Sequence, residues 1–244
     1  MTLIAIPDIH GDFEQFNALL GHAQRDFADA KIVLMGDFMD RGPRSAEVIR
    51  LVRRLTEEGH VALAGNHEDL FLGFLARDIA RGFDFGIAGG GETIASFAEE
   101  SGYEFRSPEE LRDYLDETGL AGWLEALPHI HRDEGVNFTH APVPAGRWQA
   151  IEPDRKLCMW GVPKSKDRAD LAAALGSPEG TFAACGHVIM RFGADGVRRP
   201  EMFDHGVYLD CGCGSKEDGR LVACVFDDGK PVEYLTAAGR EALS

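Results

Sequence analysis

Nowhere does an apolar stretch of this sequence approach the roughly 20 residues needed to cross a bilayer. The opening "MTLIAIPDIH" has no basic lead, and its apolar run is too short for a signal peptide. A cytoplasmic location without membrane partners is expected. Cysteine is sparse: Cys158, Cys185, Cys211, Cys213 and Cys224 form an odd set without a CxxC pair. That argues against a disulfide framework and a structural zinc site. The thiols are expected to be small, partly buried groups. Positive charge is also short. Against 41 Asp and Glu stand 25 Lys and Arg, for a net charge of −16. No Lys/Arg run offsets this, so a nucleic acid partner is not expected. An acidic chain can still bind phosphate where a site supplies its own cations.

The remaining composition is that of a globular protein, with 44% hydrophobic and 27% charged residues. One domain over residues 1–244 is expected. Its first third repeats one pattern three times. "LIAIPDIHG", "KIVLMGDF" and "HVALAGNHE" are apolar runs ending in polar residues. Each is followed by an amphipathic stretch: Asp12 to about Arg25, "SAEVIRLVRRLTEE", and "DLFLGFLARDIA". Val48, Ile49, Val52 and Leu55 recur at helical spacing. This alternation predicts parallel strands in βαβ units, an α/β (α+β) class. In such sheets functional residues gather at the carboxyl ends of strands.

Residues 80–130 are helical in pattern and broken by glycines. Ser107, followed by Pro108 and then Glu110, predicts a capped helix start. This stretch reads as a helical insertion beside a site. "GVNFTHA" and "TFAACGHV" read as further strands, ending in His140 and His187. "GVYLDCGCG", "RLVACVFDD" and "PVEYLT" read as a closing antiparallel meander.

Five strands thus end in Asp, His or Asn, all expected at one edge of one sheet region. Asp8, His10, Asp37, Asp40, Asn66, His67, His140 and His187 are the residues concerned. His22, His60, His129, His131 and His205 fall outside the pattern and read as surface or structural residues. Asp37 and Asp40 lie close together and repel unless something cationic intervenes. Carboxylate, imidazole and amide oxygen suit Mn²⁺, Fe or Zn²⁺. So many ligands exceed one ion's needs and point to two metals about 3.5–4 Å apart. A bridging Asp37 would then be neutralised by coordination, while Asp40 faces a different partner.

The ordered set Asp8-x-His10, Gly36-Asp37-x-x-Asp40-Arg41-Gly42, Gly65-Asn66-His67-Glu68, His140 and Gly186-His187 resembles the metallophosphoesterases. It is most similar to their phosphoprotein phosphatase branch. That branch includes bacterial serine/threonine protein phosphatases and symmetrical dinucleoside tetraphosphatases. The likeness runs from Asp8 to about Ala223. It implies a β-sandwich flanked by helices, with a dinuclear site at one edge. By resemblance, Asp8, His10 and Asp37 bind the first metal. Asp37 bridges, and Asn66, His140 and His187 bind the second. Arg41 would hold phosphate oxygens, and His67 would be the general acid, oriented by Asp40. The two ions, with Mn²⁺ expected and Fe or Zn as alternatives, would lower the pKa of a bridging water. The hydroxide would attack phosphorus directly.

Two departures bear on substrate. Val162 of "CMWGVPKSKDR" stands where this branch usually carries a second phosphate-binding arginine. Lys164, Lys166, Arg168 and Arg147 are the candidate substitutes, and the sequence does not choose among them. In addition, Pro142 follows His140-Ala141 in place of a glycine. A phosphomonoester hydrolase acting on phosphorylated protein is the leading expectation. The alternative is a dinucleoside polyphosphate hydrolase acting on a small phosphate-containing substrate. Trp123, Trp148 and Trp160 are expected to pack in the core. The Cys185 side chain is expected to pack on the opposite sheet face.

Overall fold

The computed structural model describes residues 1–148 and 154–243. Its two sheets face each other. The first begins with the expected βαβ units: β1 (Thr2–Ile6), α1 (Phe13–Asp26), β2 (Lys31–Leu34), α2 (Ser45–Glu57), β3 (Val61–Ala62) and α3 (Asn66–Leu75). The three strands are parallel, with Ile4 opposite Ile32 and Leu34 opposite Ala62. Along β1 the side chains alternate between faces. Ile4 and Ile6 join the helix-side core, while Leu3 and Ala5 join the core between the sheets. Val48, Ile49, Val52 and Leu55 form the buried face of α2, as their spacing predicts.

Helices α4 (Ile79–Ile87), α5 (Gly90–Ser101), α6 (Pro108–Glu117) and α7 (Leu120–Glu125) occupy the expected insertion. Ser107 caps α6 by accepting the Glu110 N–H at 3.4 Å. Phe85, Phe97, Leu111, Leu115 and Leu124 pack into the core that holds Phe16, Ile49 and Phe71. The insertion therefore shares its apolar core with the βαβ units.

The second sheet contains β4 (His131–Asp133), β5 (Val136–Phe138), β6 (Phe182–Cys185), β7 (Glu201–Phe203) and β8 (Gly206–Tyr208). Between β5 and β6 lie a short 3₁₀ turn (Ala145–Arg147), α8 (Arg155–Trp160) and α9 (Arg168–Ala174). The strand order is β4-β5-β6-β8-β7. In the first sheet, β9 (Val222–Asp227), β10 (Lys230–Thr236) and β11 (Gly239–Glu241) complete the order β11-β10-β9-β1-β2-β3.

Two expectations need correction. The closing meander is divided: "GVYL" contributes β8 to the second sheet, parallel to β6, and only β9 and β10 of the expected three pair antiparallel. The reason is two-sided burial. Val207 faces the inter-sheet core, and Tyr208 faces outward, where its hydroxyl donates to the Leu171 carbonyl at 2.9 Å. The five strand ends likewise belong to two sheets rather than one. The first sheet delivers Asp8, Asp37 and Asn66; the second delivers His140 and His187.

The cysteines follow expectation in kind. None of the five is in a disulfide, and all are buried, more completely than expected. Cys185 packs on the outer face of the second sheet with Leu171 and Tyr208. Trp148 is buried and donates to the carbonyls of Val143 and Gly176. Trp123 and Trp160 pack against the large core, partly buried. Among the described residues, no helix is long and apolar enough to cross a membrane.

Candidate metal centre

The loops after the strands are locked together through their backbones. The N–H groups of Ile9 and His10 both donate to the Asp37 carbonyl at 3.0 Å, and Gly11 N–H donates to Phe38. The Glu68 carboxylate accepts from the N–H groups of Asp37, Phe38 and Gly65 at 2.8, 2.9 and 2.7 Å. One buried side chain therefore ties the β2 loop to the start of α3. The Gly65 bond also explains why α3 begins at Asn66, three residues before the expected Asp69. A glutamate in the first turn satisfies an N–H that the helix leaves unpaired.

This locking sustains unusual backbone geometry. Eight non-glycine residues have positive φ among those described, and five are His10, Asp37, Asp40, Arg41 and His187. Each such conformation costs on the order of 1–3 kcal/mol and persists only where its surroundings over-determine it. Glycine is needed where the loops touch. A Cβ on Gly65 would strike Oδ1 of Asp37, and one on Gly186 would strike Oδ2 of Asp8.

Asp37 is the hub. Its Oδ2 lies 3.6 Å from Nε2 of His10 and 3.8 Å from Nε2 of His67. Its Oδ1 lies 3.4 Å from Nε2 of His140. His10, Asp37 and His67 form one group with ligand atoms within 4.8 Å of one another; Asp37, His140 and His187 form another. Asp8 is in neither group. Both its oxygens accept the His187 N–H, at 3.0 and 3.1 Å, but its charge still acts on Asp37.

The hydrogen bonds assign the tautomers. His10 Nδ1 donates to the Met39 carbonyl at 2.9 Å, and His140 Nδ1 donates to the Met35 carbonyl at 3.0 Å. Burial lowers both imidazole pKa values well below the ordinary range, so each carries that one proton. Their Nε2 atoms therefore carry a lone pair and no proton. At His140 this lone pair meets two further acceptors, Asn66 Oδ1 at 3.0 Å and Asp37 Oδ1. His187 Nδ1 lies 3.1 Å away. Acceptors converging on acceptors in a buried site fit a shared cation.

The carboxylates carry the same signature. Burial raises Asp37 well above the usual carboxylate range, and the Asp8 and Glu68 charges add to this. Asp8 is raised by burial and by Asp210. Burial pushes His187 down to about 4. A site that penalises its own anions while keeping its imidazoles neutral is matched to divalent metal.

Beside this cluster, His67 Nδ1 donates to Asp40 Oδ2 at 2.6 Å. The Thr93 hydroxyl bonds Asp40 Oδ1 at 2.5 Å and accepts the Asp40 N–H at 2.9 Å. Thr93 comes from α5, and its role was invisible as an isolated polar residue in a helical pattern. Arg41 lies against the same cluster. Its guanidinium donates to Nε2 of His10 at 2.7 Å, to Nε2 of His67 at 2.9 Å, and to Ser215. His22, His60, His129, His131 and His205 are absent from both ligand groups.

The family model for calcineurin-like phosphoesterases matches residues 1–187. The chain belongs to that family. A curated relative named symmetrical bis(5'-nucleosyl)-tetraphosphatase, from Aromatoleum aromaticum, is 32% identical over 191 residues. The match covers 70% of this phosphoesterase chain and 61% of the relative. A protein of the same name from Nitrosospira multiformis is 36% identical, over 58% of this chain and 43% of its own length. The chain thus spans less than two thirds of either relative. Among solved structures, a metallophosphoesterase from Sphaerobacter thermophilus aligns with a TM-score of 0.53 at 19% identity, covering 100% of this chain and 89% of its own. A cold-active protein tyrosine phosphatase from a psychrophilic Shewanella aligns at 0.55 with 17% identity, covering 100% and 80%. These likenesses establish the metallophosphoesterase fold, as the resemblance implied.

Proposed function

We propose that this chain is a dinuclear-metal hydrolase of phosphoric esters and anhydrides whose substrate class is the dinucleoside polyphosphates. The observation that carries the chemistry is the convergence of imidazole nitrogens and carboxylate oxygens around Asp37, with the His67–Asp40 pair beside it. The substrate class rests on the curated relatives, named as symmetrical tetraphosphatases. They favour the small-molecule alternative over a phosphorylated protein.

Asp8, His10 and Asp37 would hold one ion; Asp37, Asn66, His140 and His187 would hold the other. Mn²⁺ is the proposed metal, with Fe or Zn²⁺ fitting the same ligands. When bound, the ions supply positive charge against the phosphate and a water of lowered pKa. The protein's own groups do the rest. Arg41 presents a planar fork of donors that can transfer from the two imidazoles to phosphate oxygens. That movement frees Nε2 of His67, whose ring Asp40 keeps oriented. Once Nε2 has taken up a proton from solvent, His67 can deliver it to the leaving oxygen. A nucleoside diphosphate leaves as a stabilised anion, so the anhydride reaction should depend on His67 less than alkyl ester hydrolysis does.

The test is a turnover panel with Mn²⁺-loaded protein: a dinucleoside tetraphosphate, an aryl phosphate and a phosphothreonine peptide. The highest kcat/KM is expected for the tetraphosphate, with nucleoside diphosphate as the product. A higher value for the peptide would overturn the substrate class.

A further inference from the structure

We propose that Lys164 and Lys166 form a second anion subsite beside the metal centre, holding the phosphates beyond the one being cleaved. This rests on the polyphosphate reading above and assigns the residues that select for it.

The position at which the resemblance implies a second arginine is occupied by Val162, which is 69% exposed. Val162 lines the wall of a groove of about 420 Å³ together with Lys164, Lys166, His187 and Ile189. His187 belongs at once to this groove and to the Asp37 ligand group. A phosphate chain with one phosphate at the cluster would extend past His187 into the groove that the two lysines line.

The other candidate cations are placed elsewhere. Arg168 pairs with Glu201, donates to the Met202 carbonyl at 2.9 Å and lies over the Phe203 ring. Arg147 sits in the 3₁₀ turn and does not line the groove.

The two lysines retain donors for a ligand. Many arginines here are committed to carboxylates, as Arg191 is to Asp167 and Arg198 is to Asp218. Neither Lys164 nor Lys166 has a carboxylate partner within salt-bridge distance among the described residues. Lys166 Nζ donates to the Ile189 carbonyl, two residues beyond His187. That bond fixes the ammonium over the loop and leaves two of its three N–H donors free. Buried Asp210 is the nearby negative charge acting on Lys166, while Arg191, Arg198 and Lys216 add positive potential.

The lysine segment is also anchored. A Cβ on Gly161 would strike the Pro142 carbonyl, and Ala141 N–H donates to the Cys158 carbonyl at 2.7 Å. The segment therefore starts from the loop that carries His140. In a chain of net charge −16, a polyanion needs such a local cationic region to dock. A phosphopeptide monoester has no further phosphate to place there.

The full-length, Mn²⁺-loaded protein tests this through inhibition of aryl phosphate turnover by inorganic tripolyphosphate and by orthophosphate. The readout is the ratio of the two inhibition constants. In Lys164→Ala/Lys166→Met, tripolyphosphate inhibition is expected to weaken by about 10- to 100-fold relative to orthophosphate. Lys164→Arg/Lys166→Arg is expected to restore the ratio, and Lys230→Met, on β10, to leave it unmoved. An unchanged ratio in the double variant overturns the subsite. Faster wild-type turnover of the phosphothreonine peptide than of the tetraphosphate would remove the substrate reading instead. A shifted ratio in that same protein would still support the lysine subsite.

Discussion

Nδ1 of His67 donates to Oδ2 of Asp40 at 2.6 Å, and both side chains are buried. The aspartate thereby fixes the ring so that Nε2 points toward Asp37 and Arg41. For an ester with a poor leaving group, His67→Asn should lower kcat by about 10²–10⁴, the usual contribution of a positioned acid. Two metal ions per chain should be retained. Rates on alkyl and aryl phosphates, with metal content by elemental analysis, check this. Equal rates for variant and wild type on the alkyl ester would remove the acid role.

Thr93 holds Asp40 through both its carboxylate and its N–H. Thr93→Val keeps the shape and removes the hydroxyl. Stability should fall by about 1–3 kcal/mol, because a buried carboxylate oxygen loses a partner. The same variant should lower kcat more than it raises KM, since the carboxylate orients His67 without touching substrate. Denaturant titration and steady-state kinetics separate the two effects.

Gly186 leaves room for Asp8 that no other residue can leave, because its Cβ would meet Oδ2 of that carboxylate. Gly186→Ala should displace Asp8 and lower bound metal from two ions towards one. The β6 strand should persist, since Cys185 and Ala184 keep their packing. Metal content alongside far-UV circular dichroism tests it; two tightly bound ions in the variant would contradict the assignment of Asp8.

The His187 pKa gives a pH dependence with a definite sign. Burial lowers it to about 4 in the folded chain, against 6.5 for the ordinary imidazole. Below about 6.5 the unfolded chain gains a proton that the folded chain does not accept. The contribution of His187 to the stability of the metal-stripped protein should therefore be fully present above that value and be lost between about pH 6.5 and 4. His187→Gln should flatten the slope in this window. Equal slopes in chemical denaturation at a series of pH values would show that His187 does not carry the effect.

Much of the centre was legible in the sequence because its chemistry sits in short segments. Asp37, Asp40 and Arg41 share one turn, and Asn66, His67 and Glu68 share another, each after an apolar strand. The contribution of Thr93 was not legible, since α5 must fold back before its hydroxyl reaches Asp40. The function of Glu68 was hidden for a related reason. Its partners Asp37 and Phe38 are about thirty residues away in the chain.

The sequence by itself determined the donor types, their order, and the parallel βαβ units that present the first three segments. Local periodicity and strand-end placement are sufficient for that. Only the tertiary structure decided that two sheets supply the cluster, that β8 joins β6, and that Arg41 rests on His10 and His67. It also separated Lys164 and Lys166, in the groove with His187, from Arg168, which is turned to Glu201. These outcomes depend on burial of both faces of a strand and on contacts between distant segments. Spacing along the chain does not encode either of these directly.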